Sequence, residues 1–140
     1  MSATCQHTKL WSQPTTHYVS AISPNDKNIE LRVILLERMG TFEIKNGDTI
    51  YQFLVADHSG CIKCNFFGEQ GAKLKAGDIV YMSGIYATLY KETTLTLYIG
   101  KRSTIYKIGE FFMHFSETPN MSETHWERDT ATGQYYHATQ

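Results

Sequence analysis

Two cysteines three positions apart, Cys61 and Cys64, are the first residues whose spacing could support chemistry. A C-x-x-C pair can bind zinc or exchange a disulfide when both thiolates reach the same point. This pair falls in CIKCNFF, whose composition predicts a β-strand, and residues three apart on a strand point to opposite faces. The only other cysteine is the distant Cys5. We therefore expect neither a metal nor any other cofactor.

Catalytic side chains show no arrangement typical of an enzyme. The six histidines are dispersed along the chain, and no nucleophile-elbow motif accompanies them. The glycines fall in predicted turns, and the sequence has no G-x-x-x-x-G-K phosphate-binding loop. We therefore predict that the protein is not an enzyme.

Aromatic residues give a stronger signal, because several of them alternate with aliphatic residues. In IYATLY (residues 85–90) and TLTLY (residues 94–98), aliphatic side chains alternate with tyrosines and threonines. Strand side chains alternate in direction, so this pattern places Tyr86, Tyr90 and Tyr98 on the face opposite the core. A face that carries flat rings is suited to stacking of nucleobases, which contributes about 1–3 kcal/mol per base.

The segment CIKCNFF adds residues to the same face. If Ile62, Cys64 and Phe66 point inward, then Lys63, Asn65 and Phe67 point outward. Single exposed tyrosines are common on sheet surfaces, so the binding interpretation depends on four rings sharing one face. With the lysines of this face and its loops, the candidate nucleic-acid-binding residues are Phe67, Tyr86, Tyr90, Tyr98, Lys63, Asn65, Lys91 and Lys101.

Five predicted strands position these residues. They are residues 28–37, 49–57, 61–67, 78–90 and 94–99, with at most one helical turn in the connector 68–76. A bulge is expected at Gly84, because Val80 and Met82 share parity with Tyr86 yet are predicted to face inward. Bulged, curved strands close small sheets. We therefore predict an all-β, five-stranded closed barrel, most simply the OB-fold.

The remaining segments flank a barrel domain that we assign to residues 18–115. Residues 1–17 are polar and predict a short flexible N-terminal arm, and residues 116–140 predict a polar, disordered C-terminal tail. Between barrel and tail lies an apolar stretch that contains Glu110, Phe111 and Phe112. These residues either complete the last strand or form a surface for a protein partner, and their pattern favours neither.

Charge and hydropathy constrain the partner. The net charge is −1, and residues 111–140 hold the acidic excess, with four acidic residues against one arginine. Binding to nucleic acid would therefore depend more on stacking than on phosphate neutralisation, and salt would weaken it only gently. No apolar run approaches the roughly 18 residues of a membrane-spanning helix, and the N-terminus does not resemble a signal peptide. We expect an intracellular protein without a membrane partner.

Four longer segments of the chain are informative when taken together. They are VADHSG (55–60), AGDIVYMSGIYATLYK (76–91), LTLYIGK (95–101) and KIGEFFMHFSETPNMSE (107–123). Together they resemble the SOSS-B family, the single-stranded DNA-binding component of the sensor-of-single-strand-DNA complex (SOSS complex), and the resemblance covers roughly residues 18–123. It implies an OB-fold that binds single-stranded DNA in the nucleus during genome maintenance, including DNA repair and the DNA damage response.

The resemblance also implies roles for particular residues. The stacking positions of the family fall on Phe67, Tyr86, Tyr90 and Tyr98, where Phe67 replaces a Trp and Tyr90 replaces a Phe. A Glu-Phe pair that docks on a helical scaffold, similar to the third subunit of Integrator, falls on Glu110 and Phe111. The long tail rich in Pro, Ser and Gly that is usual in the family is replaced here by a short polar one.

Two alternatives remain at this point. Single-stranded RNA is one, because stacking does not distinguish the two sugars. The other is a protein adaptor that docks on a scaffold through Glu110, Phe111 and Phe112, with nucleic-acid binding secondary.

Overall fold

The structure is a computed structural model that describes residues 17–137. The predicted N-terminal arm therefore lies outside the described residues except for His17. None of the helices in residues 17–137 is long and apolar enough to cross a membrane. The elements are a short 3₁₀ helix Val19–Ala21, β1 Ile29–Glu43, β2 Thr49–Asp57, β3 Gly60–Phe67, α1 Gly68–Lys73, β4 Asp78–Tyr90, β5 Thr94–Glu110, β6 Trp126–Arg128 and β7 Tyr135–His137.

Strands β1 to β5 form a closed barrel with the neighbour order β1-β2-β3-β5-β4, and β4 pairs back onto β1. Neighbouring strands are antiparallel except β3 and β5, which are parallel and pair residues 63–65 with residues 96–98. This arrangement confirms the predicted all-β, five-stranded closed barrel of the OB-fold type.

Strand lengths agree with the prediction where the alternation is unbroken. Strands β2 and β4 have the predicted bounds, and β3 begins at Gly60, one residue early. Strand β1 instead continues to Glu43 and β5 to Glu110. Register shifts between Leu35 and Glu37 and between Arg38 and Gly40 explain the error in β1. A bulge adds one unpaired residue, so the alternation stops although the strand continues.

Helix α1 is longer than the single turn that the sequence predicted. It has six residues. Gly71 accounts for its close packing, because a Cβ atom there would lie 2.6 Å from Cδ2 of Tyr51 and 3.1 Å from Cβ of Phe66. The missing side chain lets the helix pack directly on the barrel wall.

The barrel interior is filled by the inward-facing residues that the alternation predicted. Ile62, Cys64 and Phe66 are fully buried, and the ring of Phe66 packs edge-on against Phe53 at a centroid distance of 5.7 Å. Cys61 points away from this core into a second apolar cluster that includes Ile34. The two cysteines therefore occupy opposite faces of β3, as predicted. Burial raises the pKa of both thiols, assisted at Cys61 by acidic neighbours.

The structure corrects the predicted disorder of the tail for residues 116–137. Met121 is fully buried, Trp126 belongs to the main core, and β6 pairs with β7 in a hairpin. The Ser122 hydroxyl accepts a 2.8 Å hydrogen bond from the Lys63 amide and donates a 2.6 Å bond to the Leu95 carbonyl. The tail is held by these buried side chains and by backbone hydrogen bonds such as the 2.8 Å bond from the Met121 amide to the Cys61 carbonyl, which composition does not reveal.

Candidate nucleic-acid interface

Cross-strand pairing builds the outward face, because directly paired residues lie on the same side of a sheet. Tyr86 pairs with Tyr98, Tyr98 with Asn65, and Asn65 with Gln52. These four side chains form one line across β4, β5, β3 and β2, which we call the central row. Three of its members are residues that the sequence placed at the site.

Two rings of the central row are stacked on each other. The centroids of Tyr86 and Tyr98 lie 5.5 Å apart and their planes are inclined by 16°. Tyr86 is 40% exposed, and Tyr98 is half-buried. Burial raises the pKa of Tyr98, and Tyr86 and Tyr90 add to the shift. The parallel, partly exposed rings suit the pair to stacking against a further aromatic ring.

The predicted bulge at Gly84 is confirmed and turns these tyrosines outward. The β4–β5 register shifts between Ser83 and Ile85, and Gly84 has φ 69°. The Ser103 hydroxyl donates a 2.7 Å hydrogen bond to the Gly84 carbonyl and accepts a 2.7 Å bond from the Gly100 amide. Met82 before the bulge and Ile85 after it both point into the core. The parity change therefore lies at Gly84, and Tyr86 leaves the barrel.

The middle of the central row is an amide pair. Gln52 Nε2 donates a 2.9 Å hydrogen bond to Asn65 Oδ1. Asn65 is only 8% exposed, so its side chain lies in the floor of the face rather than above it. The amino group of Asn65 and the carbonyl of Gln52 are the remaining hydrogen-bonding groups of the pair. Gln52 was missed, although the alternation in TIYQFLVAD indicates its outward direction.

Phe67 and Lys63 lie on β3 on either side of the central row. Phe67 pairs with Ile50 and is half-buried at the start of α1. Lys63 is half-buried and pairs with Thr96, whose other neighbour is Thr88. The face thus has the Phe67 ring on one side of the central row and the Lys63 ammonium on the other.

Tyr90 and Lys91 lie at the turn between β4 and β5. Tyr90 is 53% exposed and pairs with Thr94. The Lys91 ammonium lies 5.4 Å from the centroid of the Tyr90 ring. Lys91 has φ 52° and Glu92 has φ 66°, which form a tight turn at the end of the hairpin. The side chain of Lys101 lies outside the described part of the chain.

Glu110, Phe111 and Phe112 lie together where β5 ends, but their side chains have different surroundings. Glu110 pairs with Lys107 and Lys75, and Lys107 is the main cause of its lowered pKa. Phe111 has φ 63°, and its amide donates to the Gly77 carbonyl at 2.9 Å. Phe111 is 66% exposed and Phe112 is 84% exposed. The two rings are therefore available to a partner, whereas Glu110 is engaged within the chain.

Comparison with known proteins places the fold. No family model matches the chain. The chain is similar to the solution structure of hypothetical protein F20O9.120 from Arabidopsis thaliana, with 20% identity, a TM-score of 0.68 and coverage of 86% of this chain and 92% of that one. It is also similar to a chain in a structure of a Replication Protein A heterotrimer bound to ssDNA, with 12% identity and a TM-score of 0.57. That match covers 73% of this chain and 26% of the other. At identities this low, the two matches support the OB-fold barrel and do not assign a family. The resemblance to SOSS-B therefore rests on the sequence segments alone.

Proposed function

We propose that the protein binds single-stranded nucleic acid, with DNA as the preferred form, by stacking bases on the outward face of the barrel. The observation that carries the proposal is the stacked pair of Tyr86 and Tyr98, held at one end of a row that continues through Asn65 and Gln52. The likeness in fold to a chain from a Replication Protein A complex with ssDNA supports it.

The surroundings of the rings define how binding would work. Phe67 and Tyr90 extend the stacking surface to either side, and Lys63, Lys91 and Lys101 contact phosphates. Because the chain as a whole has a net charge of −1, stacking contributes more than phosphate neutralisation. One barrel of this type covers about 4–16 nucleotides.

The sequence resemblance supports a finer proposal. The protein would act in the nucleus in genome maintenance, as the SOSS-B family does, and would dock on a helical scaffold similar to the third Integrator subunit. The exposed rings of Phe111 and Phe112 favour such a surface. A protein adaptor is therefore the second candidate function. Replacing Phe111 by Ala separates the two functions if scaffold capture is lost while affinity for DNA is retained.

Fluorescence anisotropy tests the main proposal. Labelled oligothymidine is titrated with the protein, and unlabelled oligothymidine, oligouridine and duplex DNA compete at two salt concentrations. We expect binding that duplex DNA does not displace and that weakens gently with salt. Equal competition by oligouridine would assign RNA as an equal ligand, and absence of binding at the lower salt concentration would reject the proposal.

A further inference from the structure

We propose that Phe42 forms a further base-stacking subsite on β1, at the opposite end of the face from the Tyr86–Tyr98 pair. The inference rests on the proposed function and extends its footprint from four strands to five. Phe42 is 52% exposed and belongs to neither of the apolar clusters of the barrel.

The register places Phe42 on the binding face. It pairs with Ile50 on β2, and Ile50 pairs with Phe67 on β3. Directly paired residues share a face, so Phe42 and Phe67 point to the same side of the sheet with Ile50 between them. The neighbouring residue Thr41 pairs with Tyr51, which packs on the core, and this confirms the opposite parity.

A glycine lets the Phe42 ring reach the central row. Gly40 is the β1 partner of Gln52. A Cβ atom on Gly40 would lie 3.3 Å from Cζ of Phe42 and 3.6 Å from Cε2. The tip of the ring therefore lies against the backbone of Gly40. Although Phe42 is two residues further along β1, its ring fills the position that a side chain of residue 40 would occupy.

The extended row has a ring at each end and amides in its middle. From β1 to β4 it crosses four strand intervals of about 4.8 Å, or about 19 Å in all. A short oligonucleotide stacked on Tyr86 and Tyr98 would not reach Phe42, whereas a longer one would. The subsite therefore predicts that the effect of Phe42 depends on the length of the ligand.

The test is an affinity series over oligothymidines of about 4 to 16 nucleotides, measured by anisotropy. For Phe42→Ala we expect wild-type affinity at the shortest lengths that bind and a loss of about 5- to 150-fold at the longest. Phe42→Tyr keeps a ring and should retain wild-type affinity at every length. Tyr106→Ala, which removes an exposed ring that pairs with Tyr81 away from the central row, is the matched control and should behave as wild type.

Gly40→Ala provides a second variant, because the added methyl group would lie 3.3 Å from Cζ of Phe42 and the ring must shift by a few tenths of an ångström. It should show a smaller loss than Phe42→Ala, again confined to the longest lengths. Equal affinity of wild type and Phe42→Ala at every length would overturn the subsite while leaving the proposed function intact. Weaker binding by Tyr86→Ala at every length, with Phe42→Ala affected only at long lengths, is the expected pattern. Absence of binding by the wild type would overturn both proposals.

Discussion

The hydroxyl of Ser103 donates a 2.7 Å hydrogen bond to the carbonyl of Gly84, across two antiparallel strands. This bond holds the bulge at which β4 changes parity. Met82, before the bulge, points into the core, and Tyr86, after it, points to the outside. The stacking face therefore depends on a serine and a glycine that contribute no ring or charge to it.

Gly84→Ala should destabilise the protein and weaken nucleic-acid binding. Gly84 has φ 69°, and a Cβ atom there would lie 3.0 Å from the Arg102 carbonyl oxygen. A non-glycine residue in this conformation costs about 1–3 kcal/mol, which urea unfolding measures.

Gly133→Ala is the control, because it has φ 76° but lies in the β6–β7 hairpin beside the flexible end of the Arg128 side chain. It should lose stability without losing affinity. A Gly84→Ala protein with wild-type stability and affinity would contradict this role.

Removal of one ring of the stacked pair should weaken binding strongly while the barrel remains folded. Tyr98→Ala and Tyr86→Ala should each lower the affinity for oligothymidine by about 5- to 150-fold, the range expected for one stacked base. Tyr106→Ala is the matched control, since Tyr106 is 50% exposed on the same strand but pairs with Tyr81 away from the central row. Circular dichroism checks the fold. If Tyr106→Ala lost as much affinity as Tyr98→Ala, the assignment of the nucleic-acid-binding face to the central row would be wrong.

The tail should contribute measurably to stability. In Ser122→Ala, the Lys63 amide and the Leu95 carbonyl lose their hydroxyl partner at the junction of β3 and β5. Each buried group left without a partner costs about 1–3 kcal/mol. Glu123→Ala, at an exposed position next to it, should change the free energy of unfolding by less than about 0.5 kcal/mol. Equal free energies of unfolding for the two variants would mean that the Ser122 hydrogen bonds between the tail and strands β3 and β5 do not stabilise the protein.

Stability should fall at alkaline pH through Tyr81. Burial and a hydrogen bond to Glu30 raise the pKa of Tyr81 to about 12. In the unfolded chain a tyrosine titrates near a pKa of about 10, so the unfolded state loses its proton first as the pH rises. The contribution is present below about pH 10 and is lost as the pH approaches 12. Tyr81→Phe should show a shallower decline in urea unfolding between these values. An unchanged slope would remove Tyr81 as the cause.

Those features that depend on local alternation were predictable from the sequence. They are the bounds of β2 and β4, the inward residues of β3, and the outward direction of Tyr86 and Tyr98. The parity conflict between Met82 and Tyr86 was enough to locate the bulge at Gly84.

Features that depend on register or on tertiary hydrogen bonds were not predicted. The two bulges of β1 interrupt its alternation, so neither its continuation to Glu43 nor the position of Phe42 could be inferred. No sequence pattern identifies Ser122. Its contribution to stability depends on the Lys63 amide and the Leu95 carbonyl, which lie next to its hydroxyl only in the folded chain. Ser103 is likewise identified by no sequence pattern.

The most direct test of the stacking face is NMR mapping of the protein with oligothymidine. Backbone and ring resonances are compared between the free and the bound protein. We predict the largest shifts at Asn65, Phe67, Tyr86 and Tyr98, with Tyr106 and Phe112 nearly unchanged. Shifts concentrated at Phe111 and Phe112, with Tyr86 and Tyr98 unaffected, would contradict the account and place the ligand at the end of β5 instead.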